Sequence, residues 1–142
     1  MDEHRSQHLR IRLNLLTNVA GRVTPFILAR GWKLGTLYEV YPDDANLLGL
    51  NYNQGEGIFI RLRSAIDEYL SMPRIIDIML HELAHVEHPN HGPEFFVLWE
   101  QLRREFEDNP GNGDHQDHSG IDVSVQLIIP DQTDANTIVC PS

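Results

Sequence analysis

The chain has 142 residues, with 11 Lys and Arg against 21 Asp and Glu and a formal charge of −10 at pH 7. That length excludes several independently folded domains, and 41% hydrophobic with 23% charged residues excludes a chain disordered throughout. No apolar run approaches the roughly 20 residues of a bilayer-crossing helix, residues 1–5 lack the basic-then-apolar order of a secretory signal, and Cys140 stands alone, so no intrachain disulfide forms; a soluble, unsecreted protein is expected.

From Leu9 to Ala29, apolar Leu9, Leu13, Leu16, Val19, Ala20, Val23 and Ile27 recur three or four apart, the spacing of one helical face. Pro25 inside this span predicts a kink or a division into two helices, and Gly31 suits the left-handed position after a helix end. Three β-prone segments follow at Thr36–Tyr41, Leu47–Tyr52 and Gly57–Arg63. Glycines between the last two can supply the positive φ of a tight hairpin, so a small antiparallel sheet is expected. Pro73 opens an apolar helix through Ile75, Ile76, Met79, Leu80 and Leu83, and Pro93 opens another with Phe95, Leu98 or Trp99, Leu102 and Phe106 inward. The fold class is α+β, a small sheet packed with about three helices.

Charge divides the chain unevenly. Residues 1–104 hold all 11 basic residues and 13 acids, while residues 105–142 hold 8 acids and no Lys or Arg. With the Gly- and Asn-rich stretch at 109–114 as a helix stop, this sets a nearly neutral domain at 1–109 and an acidic, flexible tail at 110–142.

The Pro73 helix carries His81-Glu-Leu-Ala-His85, of the form H-E-x-x-H. Residues four apart stack on one helix face, so both imidazoles can reach one zinc ion, with Glu82 beside the position where a water would bind. Two imidazoles within an apolar helix need partners, at about 1–3 kcal/mol for each unsatisfied polar group. Pro89 drives His88 out of the helical region, so the chain turns and presents His91 as a third ligand with one position left open. His88 and Glu105 are the competing third ligands.

Pro73–Phe106, with H-E-L-A-H, the downstream H-G-P-E-F-F and the Trp99–Arg103 run W-E-Q-L-R, resembles the WLM-domain metalloproteases, the weak-suppressor-of-SUMO family related to the SprT and Spartan proteases. Arg30-Gly-Trp-Lys33, Leu47-Leu-Gly-Leu-Asn51 and Ile58-Phe-Ile-Arg-Leu-Arg63 match segments of the same domain. The resemblance implies a compact zincin-like domain with H-E-x-x-H on its central helix, metal ligands His81, His85 and His91, and Glu82 as general base. It further implies zinc-dependent proteolysis of proteins crosslinked to DNA, stimulated by DNA (single-stranded in the expected case), linked to SUMO, and located in the nucleus. The ligand spacing equals that of the metzincins, but His88 occupies their glycine position and no methionine follows His91, so ordinary metzincin membership is rejected. Tyr38, Tyr41, Tyr52 and Tyr69 are candidates for oxyanion support.

Arg10, Arg12, Arg22, Lys33, Arg61 and Arg63 are the candidate DNA contacts, drawn from a region with only a slight basic excess. In the tail, Val123, Val125, Leu127, Ile128 and Ile129 form an apolar run flanked by acids that could add a strand to SUMO or belong to this domain's own sheet. His115 with His118 is a minor candidate for a second metal site. Cys140 is either the opening of a zinc knuckle cut short or a thiolate that could reach the open metal position. Two other readings stay open: a general zinc peptidase without a nucleic-acid role, and a non-catalytic zinc-braced module that binds SUMO.

Overall fold

The structure is a computed structural model, and it describes residues 3–44, 46–65, 68–108, 124–127 and 138–139. The elements run α1 (Glu3–Arg30), β1 (Thr36–Glu39), β2 (Gly49–Tyr52), β3 (Gly57–Ile60), β4 (Arg63–Ala65), β5 (Glu68–Tyr69), α2 (Met72–Glu87), α3 (Pro93–Asp108), β6 (Ser124–Leu127) and β7 (Ile138–Val139). No helix is long and apolar enough to cross a membrane among the described residues.

α1 continues through Pro25 rather than dividing there. A proline forfeits one backbone hydrogen bond, but Val23, Phe26 and Ile27 around it are buried in the core, and their packing keeps the chain helical. The helix closes as its last residues predict. Gly31 takes φ +68, its N–H donates to the Leu28 carbonyl, and the Trp32 N–H donates to Ile27, the paired bonds of a Schellman cap.

The expected antiparallel sheet is mixed and larger. Its order is β6-β1-β3-β2-β7; β2 pairs antiparallel to β3 through a tight turn, while β1 runs parallel to both β3 and β6. The turn at Asn53–Gly55 uses left-handed backbone at Asn53, Gln54 and Gly55 (φ 52, 50 and 106), so the glycine shares that task with two residues that adopt it less readily. β6 and β7 come from the region read as an acidic tail. The backbones of these two segments pair at both edges of the domain's sheet, and for Ser124–Leu127 this is the arrangement in which the apolar run belongs to the domain's own sheet. Val123, Ile128, Ile129, His115, His118 and Cys140 lie outside the described residues.

Alternation along the strands sorts their side chains. Leu37, Ile58 and Ile60 meet Leu16, Val19 and Val23 of α1 and Ile75, Met79 and Leu83 of α2 in the main core, and Phe95 and Leu102 bring α3 onto it. Val40, Leu50 and Phe59 form a second cluster.

Charged groups brace this frame. Glu39, fully buried on β1, accepts from Arg12 Nε (2.5 Å) and Arg63 Nε (3.1 Å), the pairing a buried carboxylate requires. Arg61, 3% exposed, donates to the carbonyls of Leu47, Arg63, Pro42 and Asp44 at 3.0–3.1 Å.

Candidate metal centre

The helix that carries the site begins at a defined point. Ser71 caps α2 by accepting from the Arg74 N–H (3.3 Å), and Pro73 sits in the first turn. Ten residues from Ile75 to His85 are buried, so the apolar face that anchors α2 in the core also holds His81 and His85 in place. The helix ends at Glu87. His88, ahead of Pro89, is extended (φ −128, ψ 95), and the turn that follows brings His91 back to the same face.

There the three imidazoles converge. Ring centroids are 5.1 Å apart for His81 and His85, 5.3 Å for His81 and His91, and 4.8 Å for His85 and His91. One ligand nitrogen from each lies within 4.8 Å of the others, and Nε2 of His85 is 3.1 Å from Nε2 of His91. Ligand nitrogens about 2.0–2.1 Å from a tetrahedral ion are themselves about 3.4 Å apart, so the donor set fits one divalent metal. The His85 ring is oriented from behind: its Nδ1 donates to the His88 carbonyl (2.9 Å), which leaves the Nε2 lone pair facing His91. Phe95, fully buried at the start of α3, packs on all three rings at 4.3–4.9 Å, and Trp99 sets its edge on His81 at 4.5 Å.

Burial, reinforced by the neighbouring His85 and His91, pushes the His81 imidazole down to about 4, and burial also lowers His85. Both are therefore neutral at pH 7, the form that ligates a metal. Because the folded value for His81 lies below the usual 6.5, the unfolded chain binds more protons as pH falls from about 6.5 towards 4, and stability drops across that window. Urea unfolding of the metal-free protein should show a lower midpoint at pH 4.5 than at 7.5; equal midpoints would contradict the burial of neutral histidines.

Glu82, 1% exposed, lies one step round the helix from His81. Two residues of β2 hold it. The Asn51 side chain donates to the Glu82 carbonyl (2.9 Å) while accepting from the Gly55 N–H (3.0 Å). Gly49 lies against the Glu82 carboxylate so closely that a Cβ there would be 2.6 Å from Oε2. A cavity of about 340 Å³, walled by Leu48, Ile78 and Trp99, opens on His81 and Glu82. A three-nitrogen donor set, a carboxylate beside it and a cavity of side-chain size form an arrangement suited to hydrolysis assisted by a metal.

The other candidates fall elsewhere. Glu105 receives a two-pronged bond from Arg30 (2.9 and 2.8 Å), and the His88 ring lies 3.9 Å from Glu87, so neither joins the ligand cluster. Tyr38 stacks on Phe59, Tyr41 lies under Arg61 and Arg63, Tyr52 packs on the second core cluster, and the Tyr69 hydroxyl bonds His8; none lines the cavity. Arg10 and Lys33 are exposed and Arg22 is half-buried with a bond to Asn18. Inside the domain, Glu39 and backbone carbonyls engage the guanidiniums of Arg12, Arg61 and Arg63. Gly49, Asn51 and the Trp99 edge went unrecognised as parts of the site. The Leu47–Asn51 segment was the available signal, legible only as a resemblance.

The WLM domain family matches residues 3–136. The chain is 37% identical over 92 residues to the DNA-dependent metalloprotease WSS1 of Saccharomyces cerevisiae, covering 63% of this chain and 34% of that one. It is 33% identical over 88 residues to a WSS1 homolog of Schizosaccharomyces pombe, covering 62% and 33%. The chain thus spans about a third of the length of these curated relatives. Among solved structures, Wss1 from S. cerevisiae superimposes with a TM-score of 0.68 at 32% identity, covering 71% of this chain and 83% of that one. Wss1 from S. pombe does so with 0.58 at 28%, covering 82% and 89%. A match that runs from the first helix beyond β6, over a fold shared with these structures, settles the affiliation: the chain belongs to the WLM domain family.

Proposed function

We propose that this chain is a zinc-dependent endopeptidase that cleaves proteins crosslinked to DNA, stimulated by single-stranded DNA and directed in part by SUMO. The observation that carries the reading is the convergence of His81, His85 and His91 beside buried Glu82 at the mouth of a cavity. Zinc suits three imidazoles with an open fourth position, and when bound it acidifies water and polarises a carbonyl. Within the chain, Glu82 takes the proton of the attacking water on its carboxylate and passes it to the departing amine. Phe95 and Trp99 keep the histidine rings in position and exclude water behind them. A non-catalytic zinc-braced module has no use for a buried carboxylate at the open position, which weighs against that alternative.

The relatives' printed description, DNA-dependent metalloprotease, supports a role on DNA. Arg10, Arg22 and Lys33 remain the contacts to test, and a nuclear location follows from such substrates. For SUMO, the Val123–Ile129 run supports the reading in a particular way. Its strand β6 is the outermost of the sheet, with its far edge open to a partner strand among the described residues.

The decisive experiment gives zinc-loaded protein a DNA-binding substrate with and without single-stranded DNA. Cleavage should be faster with DNA. Affinity for the strand should fall with salt at a log–log slope of about −2, for three phosphate contacts at about −0.7 each. A flat salt response with equal rates would leave the general-peptidase reading in its place.

A further inference from the structure

The cavity beside Glu82 carries charged groups within an apolar lining. Its apolar walls are Leu48, Ile78 and Trp99, and its charged lining groups beyond Glu82 are Asp77 and Arg74. Asp77, the acid that would attract a basic side chain, is already satisfied. Arg103 grips both its oxygens at 2.7 and 2.8 Å while its guanidinium carbon sits over the Trp99 ring, 3.9 Å from its centre. Arg74 differs. It is exposed, and no ion pair or side-chain hydrogen bond engages its guanidinium among the described residues.

The position of Arg74 in the helix makes its identity telling. Ser71 is the N-cap, so Arg74 is the third residue of α2, where the sequence of a capping box places Glu or Gln. A cation there opposes the helix dipole, and no acidic residue in the first turn offsets it. The chain thus carries an unfavourable, uncompensated charge at the rim of the cavity beside its own metal centre, the kind of local violation that marks functional positions.

We infer that this cavity is a specificity pocket for the substrate residue next to the scissile bond, and that Arg74 selects an acidic side chain, glutamate above all, whose methylenes lie against Leu48, Ile78 and Trp99. The inference rests on the peptidase reading. The volume of about 340 Å³ holds one extended side chain; the paired Asp77 and Arg103 contribute no net charge, the Glu82 carboxylate is taken up by the attacking water on the peptidase reading, and Arg74 is the lining charge left to meet the tip of that side chain. Lysine and arginine are rejected at the same position.

A randomised peptide library, digested by the zinc-loaded full chain with single-stranded DNA and sequenced, tests this. The native protein should enrich Glu over Gln about fivefold at one position adjacent to the cut, the scale of a partly exposed ion pair. Arg74→Gln should remove that preference, and Arg74→Glu should replace it with one for Lys and Arg. Arg74→Glu restores a capping box, so its fold is expected to be at least as stable as the native one. Cleavage with no acidic preference, or with a profile unmoved by either substitution, overturns the pocket assignment alone. So does loss of DNA stimulation with an unchanged profile, which would make Arg74 a DNA contact. No cleavage by the native, zinc-loaded protein overturns the peptidase reading and this inference together.

Discussion

On the proposed mechanism, Glu82→Gln is expected to lower kcat by about 10²–10⁴, the contribution of a positioned general base, while metal content and KM stay close to native. Gln is isosteric with Glu and keeps the contacts that Gly49 and Asn51 make with position 82; what it loses is the ability to accept a proton. On the barrier that loss is about 3–5 kcal/mol. His81, His85 and His91 remain, so the metal is held. The paired measurement is metal content by elemental analysis beside steady-state cleavage of a DNA-binding protein. Near-native kcat in a metal-loaded variant would remove Glu82 from the mechanism. Loss of metal together with kcat would instead make Glu82 a ligand, a role that its place one step round the helix from His81 does not suggest.

The contrast between Glu82 and the buried arginines Arg61 and Arg63 shows what a sequence carries in this fold. His81, Glu82, His85 and His91 fall within 11 positions, and helix periodicity plus one Pro-imposed stop fix their relative placement, so the metal centre could be read locally. Arg61 and Arg63 look like any solvated basic residues in sequence. Their burial depends on Glu39 of β1 and on carbonyls of the 42–47 loop, groups 14 to 24 residues away, and nothing in their own neighbourhood announces it. Strand direction was equally hidden. Thr36–Glu39 and Gly57–Ile60 are β-prone whichever way they pair; the parallel pairing arises because β2 lies between them in sequence but on the far side of β3 in the sheet. Beyond residue 110 the apolar run at 123–129 is legible as a strand, but not the edge that it joins. Ser124–Leu127 finds a partner only once β1 exists to offer an edge.

Gly49→Ala is expected to be the most damaging single-methyl substitution at the site, and its damage should reach kcat. The added Cβ would stand 2.6 Å from Glu82 Oε2, 3.0 Å from its Cδ and 3.0 Å from the Phe59 carbonyl oxygen. The backbone partner cannot yield without breaking the β2–β3 register, in which Gly49 pairs with Ile60 and Leu50 with Phe59. The carboxylate is the member that must move, out of its place beside the three histidines. Overpacking of this kind costs about 1–3 kcal/mol of stability, and a general base displaced by about 1 Å loses on the order of 10²-fold in rate. Gly31→Ala is the control. At φ +68 it strains the α1 cap, yet its Cβ meets nothing within 4 Å, so it should cost about 1 kcal/mol of stability and leave kcat unchanged. Thermal unfolding and kcat measured on both variants with metal bound separate the two effects. If Gly49→Ala merely destabilises, as Gly31→Ala does, with native kcat below its Tm, then β2 does not position the general base. If kcat falls while metal content holds, the strand beside the histidine-bearing helix is part of the catalytic machinery, acting through the placement of one carboxylate.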